Sequence, residues 1–440
     1  MGLVMLVWPV RDIQGAESGN RIAFVRDAET ENSIQQYAKP LFIAAGLNPG
    51  SVRVHLILDK KLNAFVTNGQ NIYIHTGLLS TAEQVGQVIG VIAHETGHIA
   101  GGHLIRAAQA IDDAKKMDLI SAVLGIGASI LAQDPSIAIA STVAGPQLGI
   151  RSFMQFSRTQ ESSADHAALK YLENTGQSAQ GLFDFMKIIE NQELLSASRQ
   201  DPYLRTHPLS RQRLEAIEEH LRSSAYTNTA YPQELVIQHN RIRAKLTAYT
   251  SPLALVLQLY PHSDQSVWAR YARAFAYYRL PDLKTGLEMI NELLSDFPTD
   301  PYFHEMKAQM LFENGHVYDA IDSYQKAISY MEPSDLLFLE LGQAQLSSDD
   351  DSLLPSAEAN LQRSLDLFPD SAFAWRQLGI IFGRQGKMGH YHLAMGEEAL
   401  LKNRIDEAID HASRAEKLFA TGTKEWLQAQ DISIAAGNRK

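Results

Sequence analysis

The feature that most constrains the fold is an apolar run from Ser80 to Gly102 that contains the sequence His94-Glu95-Thr96-Gly97-His98. Its apolar residues would cover most of the circumference of a helix, which predicts a helix buried on nearly all sides. The pattern Ser80-Thr81-Ala82-Glu83 is typical of a capping box and predicts that the helix begins there. Glycines are poor helix formers, so a cluster of them predicts that other backbone passes close by. The glycines concerned are Gly86, Gly90, Gly97, Gly101 and Gly102.

His94 and His98 lie four residues apart, so on a helix their imidazoles share one face and can bind one metal ion. Glu95 lies next to that face and can take a proton from water. Zinc suits this set because it accepts imidazole and carboxylate ligands and keeps one position open. We therefore predict one Zn2+ per chain and hydrolysis of an amide. The alternative is a chance match on a surface helix, but buried ionisable groups need a partner such as a metal.

A third protein ligand is needed, and Glu161 is the leading candidate. Asp165 lies one helical turn after it, so Glu161 can bind zinc while Asp165 accepts the second N–H of a ligand histidine. A solvated acidic helix face is the alternative. Asp165 itself, His166 and Glu173 are the other candidate ligands.

Two sequence patterns upstream of the motif predict strands. Residues 52–58 are apolar at every second position, which is typical of a strand. The segments 65–67 and 71–75 flank Asn68-Gly69, which predicts a hairpin. The sequence therefore predicts a small antiparallel sheet of about three strands before the motif helix.

Composition narrows the class of protein. A length of 440 residues favours two or three domains, and a net charge of -11 disfavours nucleic acid as a partner. The chain has no cysteine, so any metal site must use histidine and carboxylate ligands. Absence of cysteine favours an exported bacterial protein, with a cytoplasmic protein as the alternative.

Three apolar segments remain. Residues 3–10 resemble a clipped signal peptide, with a simple strand or a misplaced start codon as alternatives. Residues 117–132 and 136–150 are each too short to span a bilayer comfortably. A buried helical hairpin is the simplest interpretation, and a mobile flap or a membrane-surface contact through 117–150 is the alternative.

The second half of the chain is helical and repetitive. Ala308 and Gly342 lie 34 positions apart, Gly379 follows after a longer gap, and each is surrounded by parts of the tetratricopeptide pattern. About four such repeats would form a solenoid. The predicted organisation is a candidate signal-peptide remnant at 1–19, a metallopeptidase domain at 20–225, a helical linker at 226–265 and the repeats at 266–440.

The motifs together resemble a known family, the CAAX-prenyl-endopeptidase-type gluzincin metallopeptidases, and within it the soluble bacterial branch with C-terminal tetratricopeptide repeats. The likeness runs from about Asn20 to the C-terminus. The fold it implies is α+β and mostly α, with a gluzincin domain that contains a small antiparallel sheet, followed by an all-α tetratricopeptide solenoid. The residues that carry it are His94-Glu95-x-x-His98, Glu161-Ser162-Ser163-Ala164-Asp165, Asn63-Ala64-Phe65 and Ile72-Tyr73-Ile74-x-x-Gly77-Leu78-Leu79.

The resemblance implies a role for each matching position. His94, His98 and Glu161 would bind zinc, and Glu95 would act as general base and acid. A strand formed by Ile72, Tyr73 and Ile74 would receive an extended substrate at a sheet edge. His207, in Thr206-His207-Pro208, would stabilise the oxyanion or occupy the open zinc position as a latch, with an ordinary capping or surface histidine as the alternative.

The resemblance also implies a function. We expect a zinc endopeptidase that acts on protein substrates in bacterial envelope protein quality control, in the periplasm of a Gram-negative bacterium. The repeats would recruit substrate or a protein partner from the assembly machinery. The alternative function is a chaperone or adaptor of outer-membrane protein assembly whose peptidase site is usually latched.

Overall fold

The computed structural model describes residues 8–9, 23–67, 70–104, 106, 147–191, 201–280 and 282–438. The chain divides into two compact units, Met1–Thr250 and Ser251–Lys440. Several predicted features lie outside the described residues. They are most of the signal-peptide remnant, the hairpin turn at Asn68-Gly69 and the apolar segments as far as Pro146, which would carry the membrane-surface contact.

The sheet of the first unit has five strands in the order β1-β2-β3-β5-β4. β3 pairs with β5 in parallel, and the other neighbours are antiparallel. The prediction of an antiparallel sheet is therefore wrong in one pairing. The β4–β5 hairpin forms as predicted, but it is β5 and not β4 that docks on β3. The strands are β1 Trp8–Pro9, β2 Ala23–Val25, β3 Arg53–Ile57, β4 Ala64–Thr67 and β5 Asn71–His75.

The described helices of the first unit include α3, which carries the His-Glu-x-x-His sequence. They are α1 Ala28–Ala44, α2 Thr76–Thr81, α3 Val85–Ala100, α4 Gln147–Asn174, α5 Gln180–Glu190, α6 Pro202–Thr206, α7 Arg211–Ser223 and α8 Gln233–Thr250. In the described part of the chain no helix is both long and apolar enough to cross a bilayer.

The start of α3 differs from the prediction. Ala82 has an extended backbone, so residues 76–81 form the separate helix α2. Gln84 then caps α3, and its side chain and that of Gln87 complete a reciprocal capping box. The helix therefore begins at Val85. From Val85 to His98 every residue is buried, as the apolar pattern predicts.

Two glycines of α3 allow neighbouring helices to approach it closely. A Cβ on Gly90 would lie 2.7 Å from Leu182 Cα of α5, and a Cβ on Gly97 would lie 2.7 Å from Ala164 O of α4. No real side chain tolerates such distances. The prediction that backbone passes close to this helix is confirmed, and the approach at Gly97 brings α4 against the motif.

α8 lies in the predicted linker and packs on α1 and α2. Its contact with α1 includes a buried charge cluster. Arg241 Nε lies 2.6 Å from Glu29 Oε1, and Lys245 forms an ion pair with Asp27. Burial raises the pKa of the Asp27 carboxyl, but Lys245 and Thr30 together outweigh it and hold that pKa below its ordinary value.

The second unit consists of helices that pack mainly on their neighbours along the chain, as in a repeat solenoid. Small residues mark the close contacts: Ala308 and Ala320 lie in one core with Tyr324, and Gly342 packs against Leu361. The predicted fold class, mostly α with a small sheet and a helical repeat unit, is confirmed. The helices are α9 Leu253–Leu259, α10 Val267–Tyr278, α11 Leu283–Asp296, α12 Pro301–Glu313, α13 Val317–Ser329, α14 Asp335–Leu346, α15 Leu354–Leu367, α16 Ala372–Arg384, α17 Met388–Leu401, α18 Ile405–Leu418 and α19 Lys424–Gly437.

Candidate metal centre

His94 and His98 occupy consecutive turns on one face of α3. Their Nε2 atoms lie 3.0 Å apart, and both side chains are buried. Glu161, on α4, faces both: Oε2 lies 3.3 Å from His94 Nε2, and Oε1 lies 3.3 Å from His98 Nε2. The close approach of α4 at Gly97 allows this contact.

His207 enters the same cluster from the residue that follows α6. Its Nδ1 lies 3.2 Å from Glu161 Oε2 and 3.3 Å from His94 Nε2. Its Nε2 lies 3.3 Å from the carbonyl oxygen of Ala64, on strand β4. The ring of Tyr203 packs on the His207 ring, with centroids 4.6 Å apart.

The four side chains His94, His98, Glu161 and His207 place one ligand atom each within 4.8 Å of one another. Zinc binds such atoms at about 2.0–2.2 Å, so tetrahedral ligands lie roughly 3.3–3.6 Å from each other. The distances of 3.0 to 3.3 Å between Nε2 of His94, Nε2 of His98 and the Glu161 oxygens are close to this spacing. The donor set and its dimensions therefore fit one zinc ion.

Burial and charge compensation define the electrostatics of the cluster. Burial raises the pKa of Glu161, but His207 and His98 outweigh it and hold that pKa well below its ordinary range. Burial lowers the pKa of His94, yet its hydrogen bonds with Asp165 and Glu161 raise it to about 10. In the metal-free site the His94 imidazole is therefore in its protonated, positively charged form at neutral pH.

Asp165 and Arg213 support the cluster from behind. Asp165 Oδ1 lies 2.8 Å from His94 Nδ1, the nitrogen that faces away from Glu161. Arg213, on α7, donates to both Asp165 oxygens, from Nε at 2.5 Å and from Nη2 at 2.9 Å, and its Nη1 lies 3.1 Å from Glu161 Oε2. Burial raises the pKa of Asp165, but Arg213 and His94 together outweigh it and keep the carboxylate ionised.

The other candidate ligands bond elsewhere. His166 is exposed and contacts the carbonyl oxygen of Ser162, while Glu173 accepts a hydrogen bond from Ser224. Neither belongs to the metal cluster that the described residues form.

Glu95 is fully buried beside the cluster. In the described part of the chain neither of its carboxylate oxygens has a hydrogen-bond partner, and His207 Nε2 lies 3.5 Å from Oε1. Burying a carboxylate without hydrogen bonds is costly, and such exceptions occur where a group has a chemical role. The position beside His94 suits a group that exchanges a proton with water.

Comparison with known proteins agrees with this geometry. Residues 28–221 match peptidase family M48. This part of the chain belongs to that family. The M48 domain contains every residue of the cluster, and the prediction of a metalloendopeptidase is confirmed.

The relatives match this chain over different lengths, and one of them covers most of it. A beta-barrel assembly-enhancing protease from Yersinia pestis is 24% identical over 404 residues, which cover 89% of this chain and 81% of that protein. The protein of that name in Escherichia coli is 31% identical over 163 residues, which cover 36% of this chain and 32% of that protein. The mitochondrial metalloendopeptidase OMA1 of Schizosaccharomyces pombe is 25% identical over 191 residues, 43% of this chain and 52% of that protein.

The predicted substrate edge of the M48 domain needs correction. Ile72, Tyr73 and Ile74 lie in β5, which is paired on both sides by β3 and β4. A strand with two partners offers no free backbone groups to a peptide. The outer strand at this end of the sheet is β4, Ala64–Thr67. The sequence did not reveal this because both strands of the hairpin have similar apolar patterns.

Three further residues of the M48 domain contribute to the site, although no role was predicted for them from the sequence. Arg213 forms ion pairs with two carboxylates, and Tyr203 packs on His207 from four residues earlier. His103 Nδ1 lies 3.0 Å from His98 Nδ1, and burial lowers the pKa of His103 to about 4, so the ring is neutral. Of these contacts, only that between Tyr203 and His207 could have been expected from the sequence, because the two residues lie one helical turn apart.

Proposed function

We propose that the chain is a zinc-dependent endopeptidase that hydrolyses peptide bonds of protein substrates. The observation that carries the proposal is the buried cluster of His94, His98, Glu161 and His207 in a domain of a metallopeptidase family. In the active state His94, His98 and Glu161 would hold the zinc. Zinc bound there would supply a Lewis acid that polarises the scissile carbonyl and acidifies water.

The protein groups supply proton transfer and positioning. Glu95 would accept the proton of the attacking water and return it to the leaving amine, which is the role of a general base and acid. In the described part of the chain neither oxygen has a hydrogen bond, so both can accept a proton. Asp165 would orient His94 by accepting its Nδ1–H, and Arg213 would keep Asp165 ionised and in place.

We also propose that β4, rather than β5, receives the substrate backbone. The amide of His75 donates to the Asn63 carbonyl at 3.0 Å, so Asn63 faces β5. Antiparallel pairs alternate, and therefore Ala64 and Val66 direct their backbone groups away from β5. A peptide strand could pair with these groups at the free edge.

His207 supports a closed resting state. Its Nδ1 lies among the ligand atoms, while its Nε2 faces the Ala64 carbonyl, which a peptide strand at this edge would use. One side chain would thus block both the fourth zinc position and the substrate edge. Activity would require His207 to leave, and once displaced it could stabilise the oxyanion.

The cellular role follows by similarity to beta-barrel assembly-enhancing proteases. We infer envelope protein quality control in the periplasm, with the repeats recruiting substrate or assembly machinery and the cytoplasm as the alternative location. The position of His207 favours a second candidate function, a chaperone or adaptor whose peptidase site is usually latched.

Replacement of Glu95 by Gln tests the mechanism. The E95Q variant should bind zinc as the wild type does but cleave unfolded casein about 10²–10⁴-fold more slowly, because the general base is lost. The matched control is Glu83→Gln, an exposed glutamate just before α3, which should retain activity. Full activity of E95Q would refute the mechanism.

A complementation assay separates the two candidate functions. If proteolysis is the essential function, E95Q fails to complement a strain that lacks the protein. If the chaperone or adaptor function is essential, E95Q complements, and a variant without the repeats does not.

A further inference from the structure

His98 has a partner behind it that differs from the partner of His94. The Nε2 of His98 faces Glu161, and its Nδ1 lies 3.0 Å from Nδ1 of His103. His103 is 3% exposed, and its backbone carbonyl accepts a hydrogen bond from Gln160 Nε2 at 3.2 Å. Gln160 immediately precedes Glu161, so the His103 backbone is tied to the helix that supplies the carboxylate.

The path of the chain after α3 makes this contact. In a continuous helix a residue five positions after His98 would be rotated by about 140°, away from its face. α3 ends instead at Ala100, and Gly102 adopts a left-handed backbone with φ +60°. This conformation favours glycine and reverses the chain, so that His103 returns to His98.

A second glycine makes room for the returning ring. Gly101 lies under the imidazole of His103, and a Cβ at that position would overlap Nε2 and Cδ2 of the ring. The two glycines therefore have separate roles. Gly101 leaves room for the imidazole ring, and Gly102 provides the left-handed backbone conformation. Together they hold His103 against the outer nitrogen of His98.

We propose that His103 is a positioning residue for the metal site, in which its Nδ1 accepts the hydrogen bond of the His98 Nδ1–H. This inference rests on the proposed zinc function. An imidazole that presents a bare Nε2 to a metal carries its proton on Nδ1, and an acceptor at Nδ1 fixes both the tautomer and the ring orientation. His103 must then be protonated at Nε2.

The two ligand histidines would therefore be supported by different chemistry. His94 faces the carboxylate of Asp165, whereas His98 faces a neutral imidazole. A neutral acceptor orients the ligand without adding negative charge, so the site keeps more of the metal's positive charge for polarising a carbonyl. His103 achieves this without touching the reacting atoms.

Zinc affinity of the full-length chain, measured by competition with a chromophoric chelator, tests the proposal. His103→Leu fills a similar volume without an acceptor and should weaken binding about 10–100-fold. His103→Asn is smaller but can present its amide oxygen near the position of Nδ1, so its affinity should stay close to that of the wild type. His166→Ala, an exposed histidine of the same unit, is the matched control.

If His103 acts only through packing, the two variants should have the opposite order of zinc affinity, with His103→Leu binding zinc normally and His103→Asn binding it weakly. That result would overturn the proposal. If His103→Leu does not fold, Gly101→Ala displaces the ring instead and should also weaken binding. Nitrogen NMR of the zinc-loaded wild type should show His103 protonated at Nε2, and protonation at Nδ1 overturns the proposal. His98→Ala tests the site itself: if it binds zinc like the wild type, the proposed function fails, whatever His103 does.

Discussion

Replacement of Arg213 by Met should destabilise the first unit more than any surface change of similar size. Arg213 is 4% exposed and contacts Asp165, Glu161 and the Pro208 carbonyl, the last at 2.8 Å. Methionine retains much of the apolar stem but provides no charge and no N–H donors. Two buried carboxylates then lose their cation, while the surrounding helices remain in place.

The expected loss follows from the burial of all three groups. Removing one partner of a buried ion pair costs about 3–5 kcal/mol, because the remaining charge stays desolvated. Arg213 holds the pKa of Asp165 low, so this stabilisation is complete above the unfolded pKa of about 3.9 and is lost as pH falls through the folded pKa. The difference between variant and wild type should therefore be large at neutral pH and shrink in acid.

Hydrogen exchange of the α3 amides in the metal-free chain is the appropriate assay. Of the four tryptophans only Trp8 precedes the second unit, so fluorescence reports mainly on the repeats. A loss of this size should accelerate the slowest α3 amides by about two to four powers of ten. Arg211→Met, two positions away and exposed, should change exchange little. An R213M variant that exchanges like R211M would refute the electrostatic account.

Three other predictions concern the same unit. Gly97→Ala should destabilise the unit and weaken zinc binding, because its Cβ would meet backbone atoms of Ala164. Such a contact should cost near the upper end of the roughly 1–3 kcal/mol of overpacking, more than the roughly 1 kcal/mol gained in helix propensity, and normal zinc affinity would contradict this. Asp27→Asn should lower the free energy of unfolding at pH 7 and should make that free energy fall less steeply in acid, since Lys245 lowers the folded pKa of Asp27. A urea titration that does not differ from that of the wild type would contradict this prediction. Zinc affinity should rise about tenfold per pH unit near neutrality, because a site that raises the pKa of His94 to about 10 must release a proton; pH-independent affinity would contradict it.

The sequence was most informative where geometry is local. A helix alone places residues four apart on one face, so the contact between His94 and His98 needed no knowledge of the fold. The repeat unit was also predictable, because small residues recur where helices of a solenoid touch. Glycines in α3 predicted close neighbours, although not that α4 and α5 would supply them.

The other features of the site depend on tertiary contacts that local sequence patterns do not determine. Either strand of the β4–β5 hairpin has enough apolar residues to dock on β3, so the outer strand of the sheet was assigned wrongly. Arg211 and Arg213 look alike on a charged amphipathic helix, and only their burial separates a surface charge from one that neutralises the site. The contact of His103 with His98 depends on a chain reversal at a single glycine, which spacing alone does not reveal.

X-ray absorption of the zinc-loaded chain, together with metal analysis, tests the central claim most directly. We predict one zinc per chain with only nitrogen and oxygen ligands, comprising the imidazoles of His94, His98 and His207 and the carboxylate of Glu161. In the His207→Ala variant the spectrum should show two imidazoles and an additional water-type oxygen. A chain that binds no zinc, or whose zinc spectrum persists when His94 and His98 are replaced, would contradict the account.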